Sequence, residues 1–421
     1  MRIAVANWSR RALGGAEGYL GIVVPELARA GHEVALWSEL DQPADRERIP
    51  LPEGAPEWCA AEMGMARALE ALRAWRPDVV FTHITTGPET EAALLAVAPC
   101  VLFVHAYYGT CVSGQKTHKS PTPTPCGRPL GPGCLAHYYP HRCGGLSPLT
   151  MLRDYRRNTR RKELLARYRA VVANSRHMRD EYVANGSDPA RTHVAPLPVE
   201  GPPAGRDAPA PGSSLSPDGA ARLLFLGRMD LLKGGRTLLD ALPAVRAGLG
   251  CRVNAVFAGD GPDRAEWERR AAETAARCEG VTAEFVGWKR GGELEALWAR
   301  TDLLVVPSVW PEPFGMVGPE AGLRGVPAAA FAVGGIPDWL EDGANGRLAP
   351  ADPPTAAGLA DAVVRCLRDP GEHARLREGA LRLARRFSRE AHLAALLPVL
   401  EEAARGGRDS SIRDRASAVP T

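Results

Sequence analysis

The sequence predicts an α/β protein of two doubly wound domains, and three observations carry that prediction. Short β-branched runs alternate with longer segments of helical period, the pattern of βαβ units. The runs are apolar throughout rather than alternating, as strands buried on both faces of a parallel sheet must be. The alternation stops at EGPPAGRDAPAPGSSLSPDG, residues 200–219, and then restarts. That stretch of Pro, Gly, Ser and Ala holds no periodic apolar face and reads as a linker.

In chain order, IAVAN (3–7), VALWS (34–38), VVFTH (79–83), CVLFVH (100–105), AVVANS (170–175) and HVAPL (193–197) are the expected strands of the first half. Helical patterns fall between them at 16–30, 88–97, 148–168 and 175–184. The second half offers RLLFLG (222–227), VNAVFAG (253–259), AEFVG (283–287), DLLVVPS (302–308) and PAAAFA (327–332). Its helices are expected near 235–248, 262–277, 291–300, 319–325, 353–368 and 372–387. The division that follows is a Rossmann-like first domain over 1–199 with an unusual insertion at 106–147, and a linker at 200–220. A Rossmann-like second domain covers 221–388, and a C-terminal helix and tail cover 389–421, fraying from about Arg405. Ligands of open α/β sheets sit at the carboxyl ends of strands, so the expected site is a cleft between the two facing domains.

The 421 residues are 45% apolar, enough for two well-formed cores. Net charge is +3, from 52 basic and 49 acidic side chains, which implies no nucleic-acid-binding field. Only five lysines occur, at 116, 119, 162, 233 and 289, so arginine is the default cation and a lysine in a loaded position is informative. The chain opens as a strand, MRIAVAN, without a leader pattern or a long apolar run, and a cytoplasmic location is expected. Cys59, Cys100, Cys251, Cys278 and Cys366 are scattered and read as buried or idle thiols.

The loops that follow strands carry the chemistry. GRMDLLKGG (227–235) puts Arg228 and Lys233 between glycines just before a helix, a setting for phosphate. It is neither a Walker loop nor GxGxxG. GGAEGY (14–19) places Gly14 and Gly15 at the start of the first helix, where backbone can approach a ligand; a tight βα turn is the plainer alternative. FAGDGP (257–262) gives Gly259 and Gly261 to a sharp turn, with Asp260 as a helix cap. Gly334 and Gly335 follow another strand. WPEPFGMVGPEAG (310–322) sets Glu312 and Glu320 at the two ends of a stiff loop without other charges; Pro319 fits a first helical turn. His83 and His105 end neighbouring strands, and His105 is the one assigned to substrate hydroxyls.

In combination, GGAE, GRMDLLKGG, AGDGP, PEPFGMVGPEAG and GGIPDWLEDGANG resemble the retaining glycosyltransferases of family 4, of GT-B fold. The match keeps the family's order over most of the chain and is weakest at 106–150, 200–220 and the tail. The resemblance implies hexosyl transfer from a nucleotide-diphospho-sugar, held mainly by the second domain, to an acceptor hydroxyl held mainly by the first. It assigns Arg228 and Lys233 to the donor diphosphate, Glu320 to ribose hydroxyls, and Glu312 to the donor sugar. The backbone of Phe314, Gly315, Met316 and Val317 would meet sugar and phosphates, Gly15 the diphosphate, and His105 the donor sugar. Val286 would flank the base. Pro319 and Asp338 depart from the family's usual residues without removing a needed charge.

No D-x-D triplet occurs, so two cations and a helix start are expected to neutralise the leaving diphosphate, and no cofactor is required for catalysis. A sugar-nucleotide epimerase, a phosphorylase and a non-catalytic binder share the fold. A phosphorylase would need a Schiff-base lysine, for which five lysines leave few candidates.

The insertion carries Cys111, Cys126, Cys134 and Cys143, spaced 15, 8 and 9 apart, with His118, His137 and His141 among them. A structural zinc, disulfides and free thiols all remain open. Tyr107, Tyr108, Tyr138 and Tyr139 are candidates to stack on a sugar. MLRDYRRNTRRKELLARYR (151–169) holds eight cations and two acids. It reads either as a solvated helix or as a basic amphipathic helix in peripheral contact with an anionic membrane.

Overall fold

The computed structural model describes residues 1–12, 14–202 and 219–416. The chain divides into two compact units. One comprises residues 1–115, 128–198 and 389–421; the other comprises 116–127 and 199–388.

In the first unit, β1 (Arg2–Ser9), α1 (Gly15–Arg29), β2 (Glu33–Leu40), β3 (Glu57–Cys59), α2 (Ala60–Met63), α3 (Met65–Trp75), β4 (Val79–Thr82), α4 (Pro88–Leu94) and β5 (Cys100–Val104) follow in order. The short hairpin of β6 (Thr117–His118) and β7 (Thr124–Pro125) groups with the second unit. The first unit resumes with α5 (Gly133–Tyr138), α6 (Pro148–Leu164), β8 (Ala170–Ala173), α7 (Arg176–Ala184) and β9 (Thr192–Val194). Its parallel sheet has the order β3-β2-β1-β4-β5-β8-β9. Ile3, Ala4, Val5 and Ala6 of β1 are wholly buried, which is why the strand reads as a continuous apolar run.

The second unit runs β10 (Ala221–Leu226), α8 (Gly235–Leu249), β11 (Val253–Ala258), α9 (Arg264–Arg277), β12 (Val281–Gly287), α10 (Gly291–Trp298), β13 (Leu303–Val306), α11 (Val317–Gly322), β14 (Ala328–Phe331), β15 (Gly346–Ala349), α12 (Ala356–Leu367) and α13 (Pro370–Ala384). Its parallel sheet has the order β12-β11-β10-β13-β14-β15. Strand order reverses at β10/β13 here and at β1/β4 in the first unit. Loops leaving the carboxyl ends of such neighbours diverge and open a crevice.

Three features depart from the sequence reading. The edge strands β3 and β15, and the helix α3, were not expected. The C-terminal helix α14 (Arg389–Ala416) continues past Arg405 and belongs to the first unit. His392 anchors it there: one ring nitrogen bonds the Tyr19 hydroxyl at 2.9 Å and the other the Pro196 carbonyl at 2.8 Å. Most of the expected linker, residues 203–218, and the last five residues of the tail lie outside the described residues.

The insertion is organised by apolar packing. Val112, Leu130, Tyr138 and Met151 form a small buried cluster against which Cys134 and Cys143 pack. Among the described residues no group of three or more His, Cys, Asp or Glu is placed to hold a metal ion. Cys111, Cys126, Cys134 and Cys143 are unbridged thiols here, half-buried and not gathered about one point. The Cys111 sulfur lies 3.6 Å from the Ser113 hydroxyl, that of Cys134 3.7 Å from the Pro129 carbonyl, and that of Cys143 3.8 Å from the His137 carbonyl. Tyr107 and Tyr138 are also corrected: both are buried, the first bonded to His177 at 2.8 Å, so neither ring is open for stacking. Tyr108 and Tyr139 stay exposed.

Candidate active site

In the second unit, the loop after β10 and the loop after β13 meet because their strands are neighbours, with Leu223 paired to Leu303. The Val309 amide donates to the Leu232 carbonyl at 2.9 Å and ties the loops together. Asp230 caps the short 3-10 turn Leu231–Lys233 by accepting from the amides of Leu232 and Lys233 at 3.0 and 3.2 Å. The chain then enters α8 through Gly234 in the left-handed region, φ 70°, where a Cβ would fall 1.8 Å from the Pro307 carbonyl oxygen. Only glycine allows that approach.

This geometry delivers Lys233 to Glu312. The Lys233 Nζ lies 2.7 Å from Glu312 Oε1, and the Ser308 hydroxyl donates to the same oxygen at 2.5 Å. Glu312 is 4% exposed. Lys233 Nζ also stands 5.5 Å from the centre of the Trp310 ring. Gly334 fixes the glutamate from the far side, since its amide neighbour Gly335 donates to the Glu312 carbonyl at 2.7 Å. At Gly334, φ 57°, an added Cβ would meet that carbonyl at 2.3 Å.

Glu312 is the residue assigned to the donor sugar, and within the chain its Oε1 already accepts from the Ser308 hydroxyl and the Lys233 ammonium. Arg228 stays apart: its side chain is 66% exposed, with the Asp230 carboxylate 3.5 Å away.

Phe314, Gly315, Met316 and Val317 lead into α11, as expected from Pro319. Trp339 shapes this backbone, donating its indole N–H to the Phe314 carbonyl at 2.7 Å while Phe314 is buried. Glu320 lies in the first turn of α11. Burial pushes its carboxyl pKa up; the Arg324 cation opposes this, and the Glu200 and Glu295 charges add to it. Arg324 spends its charge on Glu295 at 2.6 Å and gives Glu320 only a bond to the backbone carbonyl, at 2.8 Å. Among the described residues no side chain or amide donates to the Glu320 carboxylate. Such a half-buried carboxylate, eased by the Arg324 charge but given no direct hydrogen bond, is in the condition that a ligand's hydroxyls relieve.

Gly259, a candidate to meet substrate, stands at the turn after β11 with φ 134°. Its amide donates to the Gly287 carbonyl at 2.8 Å, so it serves the packing of the β11 and β12 ends. Asp260 is not the cap of α9, whose N-cap is Asp263; it accepts from the Gly261 amide at 2.7 Å. Val286 is half-buried near the end of β12, two residues before the exposed Trp288.

In the first unit, Gly14 is the N-cap of α1, and Gly15 begins that helix with open space where a side chain would be. The Glu17 carboxylate accepts from the Gly14 amide at 3.0 Å and from the Trp8 indole at 2.8 Å. The glutamate of GGAE thus holds the glycine turn in place, a role the sequence did not disclose.

His105 and His83 are coupled, Nε2 of the first to Nδ1 of the second, at 3.0 Å. Burial lowers both, His105 to about 3 with His392 contributing, and His83 well below its ordinary value. Both imidazoles are neutral near pH 7, so His105 can hydrogen-bond but not supply charge. Beside them lies a pocket whose floor is an ion pair missed from the sequence: Arg161 Nε to Glu91 Oε1 at 2.8 Å, both nearly buried. Arg161 donates also to the Thr85 carbonyl at 2.6 Å and stacks at 4.9 Å on the ring of Tyr108. In an arginine-rich stretch, nothing local marks the one arginine that turns inward.

The family model Glycosyltransferase Family 4 matches residues 13–200, and the model Glycosyl transferases group 1 matches residues 220–369. A D-inositol 3-phosphate glycosyltransferase of Xylanimonas cellulosilytica is 32% identical over 252 residues, 58% of this chain and 59% of that protein. A 2-deoxystreptamine glucosyltransferase of Streptomyces kanamyceticus is 34% identical over 213 residues, 49% of this chain and 50% of that protein. The chain thus spans about half the length of these two relatives. A glycogen synthase of Mycobacterium tuberculosis is 27% identical over 98% of this chain and 97% of its own. Among solved structures, Anabaena Alr3699/HepE in complex with UDP superposes with a TM-score of 0.65 at 20% identity, covering 96% of this chain and all of that one.

Proposed function

The chain belongs to the group 1, family 4 glycosyltransferases and has their GT-B fold, and from that membership we propose that it transfers a hexosyl group from a nucleotide-diphospho-sugar to an acceptor hydroxyl, retaining anomeric configuration and needing no divalent metal. The observation that carries the reading is the pairing of two loops at one switch point, which joins Lys233 to Glu312 and, among the described residues, leaves the half-buried Glu320 carboxylate without a hydrogen-bond donor.

In this reading the ribose hydroxyls donate to Glu320, and the diphosphate draws on Lys233 and the exposed Arg228. With Oε1 of Glu312 taken by Lys233 and Ser308, Oε2 is the oxygen assigned to a sugar hydroxyl. The glycosidic C–O bond to phosphate breaks, its electron pair stays on the diphosphate, and the cations stabilise that charge. The acceptor oxygen bonds the anomeric carbon from the face the diphosphate leaves, and its proton passes to the departing phosphate oxygen. Glu312 is not assigned as a nucleophile: its Oε1 holds two donors, and its Oε2 is assigned to a hydroxyl rather than to the anomeric carbon. The first unit contributes Gly15 to the diphosphate and His105 to sugar hydroxyls. The pocket of Thr85, Tyr108 and Arg161 beside His105 is assigned to the acceptor. Relatives named for a cyclitol phosphate and an aminocyclitol make a small polyol acceptor the reading to try first.

The test is release of nucleoside diphosphate from a panel of nucleotide sugars, with and without polyols, in the presence of EDTA. Turnover is expected to survive the chelator. Loss of turnover that Mg²⁺ restores would refute metal independence, and no turnover or binding with any donor would refute the activity.

A further inference from the structure

Helix α6 and the residues before it present a surface that the transfer reaction does not use. The helix divides its faces sharply: Met151, Asn158, Arg161 and Leu164 are buried toward its own unit. The opposite stripe, at helical spacing, is Leu149, Leu152, Arg153, Arg156 and Arg160. Leu146, just before the N-cap Ser147, and Leu149 are each 80% exposed, and Leu152 is 38% exposed. Three exposed leucines within seven residues form a patch rather than the scattered apolar groups normal on surfaces.

The charge around this patch is one-sided. Arg142 lies beside it in sequence, and Arg153, Arg156 and Arg160 continue along the helix, about 16 Å from Leu149 to Arg160 at 1.5 Å per residue. Two acids temper the stripe. Asp154 pairs with Arg153 at 3.1 Å and Glu163 with Arg160 at 2.9 Å, while Arg142 and Arg156 have no ion pair among the described residues. Leucines at one end followed by a run of guanidinium groups match a layer that is apolar below and anionic above.

We propose that this surface docks the protein on an anionic phospholipid bilayer, with Leu146, Leu149 and Leu152 entering the acyl boundary and Arg142, Arg153, Arg156 and Arg160 lying among the headgroups. The docking face is not the one expected from the composition of 151–169. Of the apolar residues of that segment, Met151, Leu164, Leu165 and Tyr168 are buried in the protein's own core, and Leu152 alone joins the exposed patch. No helix of the described residues is long and apolar enough to cross a membrane, so the contact is peripheral.

The test is flotation of the full chain with vesicles of phosphatidylcholine, alone or mixed with phosphatidylglycerol. Binding is expected only to the mixed vesicles and should fall as salt rises, because exposed charges are screened. Leu146→Ser/Leu149→Ser/Leu152→Ser should weaken partitioning at least about tenfold while leaving the melting temperature unchanged, since little of this area is buried in the fold. Arg142→Gln and Arg156→Gln should each cost about fivefold. Equal retention on both vesicle types, or unchanged binding by the triple variant, would overturn the proposal. A dimer that the triple variant dissolves would also overturn it, assigning the patch to a second copy. None of these readouts depends on donor turnover, so they stand or fall apart from the transferase reading.

Discussion

Replacing Glu312 by Gln should tighten the binding of a free nucleoside diphosphate even as it abolishes sugar transfer. Lys233 is at present held by Glu312 at 2.7 Å, so a diphosphate that recruits this ammonium must compete with the glutamate. The side chains are 29% and 6% exposed. Exposed ion pairs are worth about 0–1 kcal/mol, and breaking a buried one costs about 3–5 kcal/mol. A half-buried pair whose lysine reaches solvent belongs near the lower range, at about 1.5 kcal/mol. Glutamine keeps an oxygen for the Ser308 hydroxyl and nearly the same volume, but gives up the charge. The released lysine should then bind diphosphate about tenfold more tightly, since 1.4 kcal/mol is a factor of ten. Calorimetric titration with UDP, GDP and ADP measures this directly, alongside Lys233→Met, which should weaken binding about tenfold or more. If Glu312→Gln binds every diphosphate equally or less tightly than the parent, Lys233 is not a diphosphate ligand kept in reserve, and the assignment fails.

Glu320→Gln should weaken nucleotide binding about tenfold, the order of a charge-assisted bond or two, yet leave the melting temperature unchanged or higher. The sign follows from its raised pKa: above that value the native state carries a desolvated charge at a cost, which glutamine removes. Lower stability with unchanged binding would reverse the assignment. Acid should destabilise the first unit, because a histidine whose pKa is lowered on folding has no effect while neutral in both states and costs stability once the unfolded chain takes up a proton that the folded one refuses. Stability therefore falls as pH drops below about 6.5 toward the folded value. For His392, held at about 4, the loss at pH 5 is about 2 kcal/mol. His392→Gln should flatten the dependence of melting temperature on pH between 7 and 5, and an identical slope in both proteins would contradict it. Gly234→Ala should cost at least about 2 kcal/mol, from a left-handed φ and a Cβ set against Pro307. A change below about 0.5 kcal/mol in denaturant titration would mean that the loop is freer than drawn.

What could be read in advance follows from how far each signal extends along the chain. Parallel strands buried on both faces announce themselves within five residues, and β1, β5, β10 and β13 were found where their apolar runs stand. β3 is three residues, EWC, and β15 reads GRLA, so neither carries a pattern; neighbours in the sheet make them strands. The site was legible where its residues share a loop, as in GRMDLLKGG and WPEPFGMVGPEAG. It was illegible where partners meet only in space. Arg161 and Glu91 pair across 70 residues of sequence, and neither is distinguished from its neighbours by type. The Lys233–Glu312 contact was hidden for the same reason, although both residues had been singled out separately. The spacing of the four insertion cysteines left zinc, disulfides and free thiols open, because a thiol that packs against an apolar cluster and one that ligates a metal look alike as letters.

The contact also explains why a chain with so few lysines keeps one at position 233. An arginine there would face a single carboxylate with a planar fork, and the bidentate pair that results is strong and geometrically committed. Lysine gives Glu312 one N–H, rests near the Trp310 ring, and retains other donors on a rotatable ammonium. Arg228, two-thirds exposed and paired only at 3.5 Å with Asp230, needs no such compromise. Two cations of different kinds therefore suit two tasks in the proposed reaction. Arg228 is free to gather the diphosphate from solvent, and Lys233 passes from carboxylate to phosphate as charge builds on the leaving group. On this argument Lys233→Arg should bind nucleoside diphosphate more weakly than the parent although its charge is unchanged, because the guanidinium stays with Glu312. It should recover affinity when Glu312→Gln is added. Parent-like binding by the single variant would show that charge alone suffices at this position, and that the choice of lysine has another cause.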